Sequence, residues 1–154
     1  MSKITKLIIS LVLPLAVGAL GGLATASSVG TWYQTLEKPS FNPPSWVFGP
    51  VWTTLYILMG YAAYRVWTTE SEDRPGAMKL YWSSLVLNAA WSPIFFGLQS
   101  PQYALMVIIP LWMCILFMII GFRRVDKLAA GLIVPYLLWV TFATVLNGAI
   151  VGLN

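Results

Sequence analysis

The residues with the greatest chemical capacity in this 154-residue chain are its tryptophans. Trp91, Trp112 and Trp139 lie near the middle of long apolar blocks, and Trp52 lies more than a turn inside another. Tryptophan usually rests at block ends with its ring half in water, as Trp32, Trp46, Trp67 and Trp82 are placed to do. A buried indole offers a flat face for stacking, an N–H that wants an acceptor, and an oxidisable ring. Helical spacing groups Trp52 with Tyr56 and Gly60, Asn88 with Trp91 and Phe95, and Trp139 with Ala143 and Asn147. Each set forms one aromatic-and-amide face, suited to a flat, largely apolar small molecule. An asparagine in so apolar a block is costly unless paired, so Asn88 must face the interior. Spacing leaves open whether it bonds a neighbouring helix or a ligand.

Conventional catalytic groups are missing. The chain has no histidine, which removes the commonest general base, the usual transition-metal ligand and the usual axial haem ligand together. Glu37, Glu70, Glu72, Asp73 and Asp126 all fall in predicted connections, so neither a metal site nor an intramembrane acid for proton-coupled transport is expected. The single Cys114 sits among Met113, Ile115 and Leu116 and reads as a small buried apolar residue. No cofactor is expected.

The elements that must position these rings are long helices. Hydrophobic residues make up 58% of the chain and charged residues only 9%, far from the balance of a soluble domain. The apolar residues form five blocks, residues 4–26, 46–67, 80–98, 103–122 and 128–153, each near the ~20 residues a helix needs to cross ~30 Å of hydrocarbon. This predicts a single all-α domain, an integral membrane bundle of five transmembrane helices. Beyond the flanking Lys6, only Arg65 falls inside a block, two residues from its end, where a long side chain snorkels to the interface. Lys3, Lys6, Arg65, Arg74, Lys79, Arg123, Arg124 and Lys127 share one side of this topology and leave Lys38 alone on the other. That bias places the N-terminus in the cytoplasm and the C-terminus outside. It also accounts for the net charge of +4 without a nucleic-acid partner.

Three further features qualify the bundle. The first block ends in Ala24-Thr25-Ala26, which resembles a signal-peptidase site, yet the run exceeds the ~7–15 residues of a signal core and is read as a retained span. Gly18, Gly22 and Ala26 in that block put small residues on one face, for a second chain or for packing within the bundle. Finally, every block holds a proline, Pro14, Pro50, Pro93, Pro110 and Pro135. Each removes a backbone hydrogen bond and frees a carbonyl, at Ser10, Trp46, Ala89, Met106 and Gly131, which predicts a bundle bowed around a space.

The connection from residue 27 to 45, SSVGTWYQTLEKPSFNPPS, is too long for a simple link. Trp32, Tyr33 and Phe41 give it apolar weight while Pro39, Pro43 and Pro44 stiffen it, so it is expected to fold over the bundle mouth as a lid.

Three motifs carry a resemblance. Trp32-Tyr33, followed by the run from Lys38-Pro39 through Asn42-Pro43-Pro44-Ser45-Trp46 to Trp52-Thr53-Thr54-Leu55-Tyr56, is similar to the TspO/MBR translocator protein family, also called peripheral-type benzodiazepine receptors. Leu87-Asn88-Ala89-Ala90-Trp91-Ser92-Pro93 through Gly97, and Val134-Pro135-Tyr136-Leu137-Leu138-Trp139 with Phe142 to Asn147, resemble its third- and fifth-helix signatures. The match covers nearly the whole chain. It implies a five-helix bundle, a homodimer, and a pocket beneath the first loop for porphyrins such as protoporphyrin IX and benzodiazepine-type ligands. Carried over residue by residue, that pocket comprises Tyr33, Pro43, Trp52, Tyr56, Asn88, Trp91, Phe95, Trp139 and Ala143. Trp52 and Trp139 match two tryptophans tied in bacterial members to light-dependent porphyrin breakdown. Two departures stand out. Phe41 replaces the family's usual tryptophan, and Gly148-Ala149-Ile150 supplies neither the tyrosine nor the basic residue of the motif proposed for cholesterol. Cholesterol transport is therefore not expected, and a bacterial cell membrane is. Three functions follow: tetrapyrrole binding with sensing or transport, photo-oxidative porphyrin breakdown by Trp52 and Trp139, or a ligand-free membrane scaffold.

Overall fold

The computed structural model describes all 154 residues and contains helices and no strand. Five long helices follow one another: α1 (Lys3–Ala26), α2 (Phe48–Trp67), α3 (Arg74–Ser92), α4 (Pro101–Val125) and α5 (Lys127–Leu153). Their starts are set by side chains that satisfy orphan N–H groups. Ser2 accepts from Thr5 N at 3.1 Å, Ser100 from Tyr103 N at 3.2 Å, and Asp126 from Leu128 N at 3.0 Å. α1, α4 and α5 are long and apolar enough to cross a membrane by length and composition.

The helices close a ring in the order α1, α2, α5, α4, α3 and back to α1. The principal core joins Met59, Ala62, Ala63 and Val66 of α2 to Tyr81 of α3, Ile115, Met118 and Phe122 of α4, and Ile133, Tyr136 and Val140 of α5. The outer surface is apolar as well, with Ile8, Val12, Leu23, Val86, Met106, Phe117, Leu138 and Val145 all exposed, whereas Asn88, Asn147, Ser84 and Ser92 are buried. A water-soluble bundle has the opposite arrangement; this one suits a hydrocarbon solvent.

Element bounds differ from the apolar blocks where charge or proline misled the reading. α3 begins at Arg74 rather than residue 80, because its first turns bury Ala77 and Met78 against the bundle while Lys79 points outward. It also stops at Ser92. Pro93–Gly97 forms a wider π-type turn, closed by Leu98 N donating to Pro93 O at 2.9 Å, and Gln99 follows with a left-handed φ of 52°. The five prolines are likewise not equivalent. Pro14, Pro110 and Pro135 lie inside helices, but Pro50 occupies the first turn of α2, where a missing N–H costs little, and Pro93 opens the π turn.

Arg65 reaches across the end of the bundle and donates through Nε to Asp126 Oδ2 at 2.6 Å. Burial acts to raise the Asp126 carboxyl, but the Arg65 bond and the backbone N–H groups of α5 outweigh it and hold the carboxyl below its ordinary range. A depressed carboxylate pKa contributes stability above the unfolded value of about 3.9, lost as pH falls through the folded value. Melting temperature in detergent is therefore expected to fall on acidification below about pH 4 more steeply in the parent than in Asp126→Asn, which keeps a capping oxygen without the charge. Parallel curves would exclude this contribution.

Candidate functional site

A cavity of about 560 Å³ opens inside the ring, and all five helices, the π turn and the long loop contribute to its wall. This lies within the ~300–1,000 Å³ typical of small-molecule sites. Its aromatic side is built from α2 and α5. The Trp52 and Trp139 rings meet edge to face, with centroids 6.5 Å apart and an interplanar angle of 89°. Tyr56 stacks on Trp52 at 5.5 Å, one helical turn along. Opposite them, Trp91 stacks on Phe95 at 5.0 Å, as their four-residue spacing requires.

Polar groups bordering the cavity are bonded mainly to one another. Asn88 Oδ1 accepts from Tyr56 Oη at 2.8 Å, while its Nδ2 donates to Tyr136 Oη at 2.7 Å, so one carboxamide joins α2, α3 and α5. Trp91 Nε1 donates to Asn147 Oδ1 at 3.1 Å, and Asn147 Nδ2 donates to Pro101 O at 2.9 Å. The structural role left open for Asn88 is thus occupied by protein partners. Trp139 differs: its Nε1 is buried with no hydrogen-bond partner.

Of the residues singled out from sequence, Tyr33, Trp52, Tyr56, Asn88, Trp91, Phe95, Trp139 and Ala143 come together around this cavity, and Pro43 does not line it. Pro43 lies half-buried, two residues before the short turn Ser45–Val47. Trp112 also stays outside, donating to Thr141 Oγ1 at 2.7 Å, and Gly60 packs on α1 instead. The contribution of α1 was missed. Leu15, Gly18, Ala19, Gly22, Thr25 and Ala26 line one wall; within the stripe of small residues Gly18 packs on the Tyr56 ring, whereas Gly22 and Ala26 are exposed. Its four-residue period, which admitted either packing within the bundle or a second chain, was the available signal. Thr25 Oγ1 and Ser92 Oγ meet at 2.8 Å and fasten this wall to α3.

The loop between α1 and α2 is tied down at several points. Ser28 Oγ donates to Phe96 O at 2.7 Å, and Tyr33 packs on Phe95 and Phe96 with centroids 6.0 and 5.5 Å away. Burial pushes the Tyr33 phenol up to about 12, which keeps it a neutral donor to Asn42 Oδ1 at 2.8 Å. Phe41 reaches Phe142 at 6.1 Å, and Phe142 reaches Trp139 at 5.3 Å, so an aromatic chain runs from the loop to the cavity. At its far side the loop bonds the end of α5: Glu37 N donates to Asn154 Oδ1 at 3.1 Å and Asn154 Nδ2 to Glu37 O at 2.8 Å.

The sequence also matches known proteins. A sequence model of the TspO/MBR family matches residues 10–153. The chain is 44% identical over 155 residues to the tryptophan-rich protein TspO of Chlorobaculum tepidum, covering 99% of this chain and 98% of that one. It is 40% identical to the tryptophan-rich sensory protein of Cereibacter sphaeroides over 88% of this chain and 87% of the relative. The human translocator protein is 44% identical over 121 residues, 75% of this chain and 70% of the relative.

Proposed function

Because this chain belongs to the TspO/MBR family and is an integral membrane protein, we propose that it crosses the bilayer five times and binds a tetrapyrrole such as protoporphyrin IX, or a similar flat apolar ligand, in the Trp-rich cavity. The observation that carries this reading is the perpendicular pair Trp52 and Trp139, one ring from each of two helices, on the wall of an apolar space of about 560 Å³. A flat conjugated ligand gains by stacking on such rings and by covering their apolar area. Tyr33, Tyr56, Asn88, Trp91, Phe95 and Ala143 complete the contact surface, with Pro43 acting through the loop that closes over it.

Sensing or transport is the outcome this reading favours, in keeping with relatives named sensory and translocator proteins. Charge bias puts the N-terminus in the cytoplasm, and two copies form a homodimer in a bacterial cell membrane. Light-dependent porphyrin breakdown is the second reading. Two oxidisable indoles side by side on the wall favour it. The primary test is a titration of purified protein with protoporphyrin IX, read by tryptophan fluorescence. Saturable quenching at one ligand per chain is expected, and quenching that grows linearly without saturation would leave only a scaffold.

A further inference from the structure

The cavity leaves one strongly charged feature unused, at the opposite end of the bundle from the long loop. Arg123 and Arg124 occupy the last turn of α4, and Lys127 opens α5. With Ile119 and Ile120, one turn deeper on α4, they line a hollow of about 380 Å³ that shares no residue with the aromatic cavity. Most other cations at this end are spoken for. Arg65 holds Asp126, Arg74 donates to the Trp67 and Thr69 carbonyls at 3.4 and 3.3 Å, and Lys6 lies 5.6 Å from the Trp67 ring centre. The nearest carboxylate in sequence, Asp126, is fully engaged, one oxygen on Arg65 Nε and the other on Leu128 N. Arg123, Arg124 and Lys127 are exposed, and none has a hydrogen bond or ion pair within the protein.

Three unneutralised cations around one hollow demand an anion, and the two isoleucines specify which kind. The ~5.4 Å pitch of a helix puts Ile119 and Ile120 one turn below the guanidinium groups, where lipid chains begin if the charged ring sits at the headgroup level. We infer that this hollow binds the phosphate headgroup of an anionic membrane lipid, with Arg123, Arg124 and Lys127 on the phosphate and Ile119 and Ile120 against the glycerol and upper acyl chain. Arginine suits the role because its planar fork meets phosphate oxygens two at a time. The inference rests on the membrane placement given above and is independent of the tetrapyrrole.

Native mass spectrometry of the full chain in detergent, titrated separately with phosphatidylglycerol and with phosphatidylcholine of the same acyl chains, tests it. The parent is expected to take up one phosphatidylglycerol saturably and to prefer it to phosphatidylcholine. With each cation worth roughly fivefold near a lipid surface, the R123Q/R124Q/K127Q variant should bind it about a hundredfold more weakly. The K3Q/K79Q variant, which loses two charges on the same side that do not line the hollow, should bind as the parent does. Equal binding of the two lipids, equal losses in both variants, or displacement of phosphatidylglycerol by equimolar inorganic phosphate would each overturn the inference. Single glutamine replacements, each expected to cost roughly fivefold, carry the same test if the triple variant does not fold. A parallel protoporphyrin titration should be unchanged in the triple variant. Lost porphyrin binding in the parent would therefore indict the cavity reading alone.

Discussion

Replacing Trp52 and Trp139 together by alanine is expected to weaken protoporphyrin IX binding about a hundredfold, and either alone about tenfold. Each ring presents a stacking face worth roughly 1.4 kcal/mol to an aromatic guest, and every such increment is about tenfold in affinity. The ring centroids lie 6.5 Å apart, so measuring both single variants beside the double one reads any coupling between them. Trp112→Phe is the control, because Trp112 lies outside the cavity and its affinity should match the parent's within twofold. Titration monitored by porphyrin absorbance decides the matter, and an alanine pair that binds normally would remove the cavity from the ligand's path. Phenylalanine at positions 52 and 139 separates binding from photochemistry. Stacking persists there, but the indoles are gone, so any light-driven loss of the porphyrin band should stop. Loss at the parental rate would rule out breakdown by these tryptophans.

Gly60→Ala should lower stability by roughly 2–3 kcal/mol, at the upper end for overpacking a fitted core, and Gly60→Leu should prevent recovery of folded protein. A Cβ added at Gly60 would lie 2.5 Å from Ser10 O and 3.1 Å from Leu11 Cα, both backbone atoms that cannot rotate aside. The Ser10 carbonyl lies there for a traceable reason. Pro14, four residues on, has no N–H to offer it, and in an apolar medium the freed oxygen is best buried against another helix. Gly60 is the residue that lets α2 come that close. At Gly22 an added Cβ meets nothing within 4 Å, so Gly22→Ala should be neutral or slightly stabilising. Detergent melting curves compare the two, and parental melting of Gly60→Ala would refute the close approach.

The aromatic half of the site was legible in the sequence because helical period alone puts Trp52 beside Tyr56, Asn88 beside Trp91, and Trp139 beside Ala143. Those faces converge once the helices close a ring. The α1 wall was harder to read, since Gly18 and Gly22 carry no chemistry of their own and a small-residue stripe fits a partner chain as well as a cavity. The start of α3 was hidden by Arg74 and Lys79, charges that look like a connection until Ala77 and Met78 are seen to be buried between them. Proline content overstated the interruption of the bundle for a similar reason. Composition counts Pro50 and Pro14 alike, whereas only a residue's position within its helix decides whether a hydrogen bond is lost. The partners of Asn88 required Tyr136, which lies 48 positions away and beyond any local pattern.

The bonding of Asn88 and Asn147 has a consequence for selectivity. Both carboxamides are committed at each end to tyrosines, a tryptophan or a main-chain carbonyl. A guest rich in hydroxyls or charges would leave water without finding comparable replacements, and one lacking them forfeits nothing. Admission is thus governed by silhouette and thickness, as in a mould, and chemically unrelated molecules of one outline should compete for the same berth.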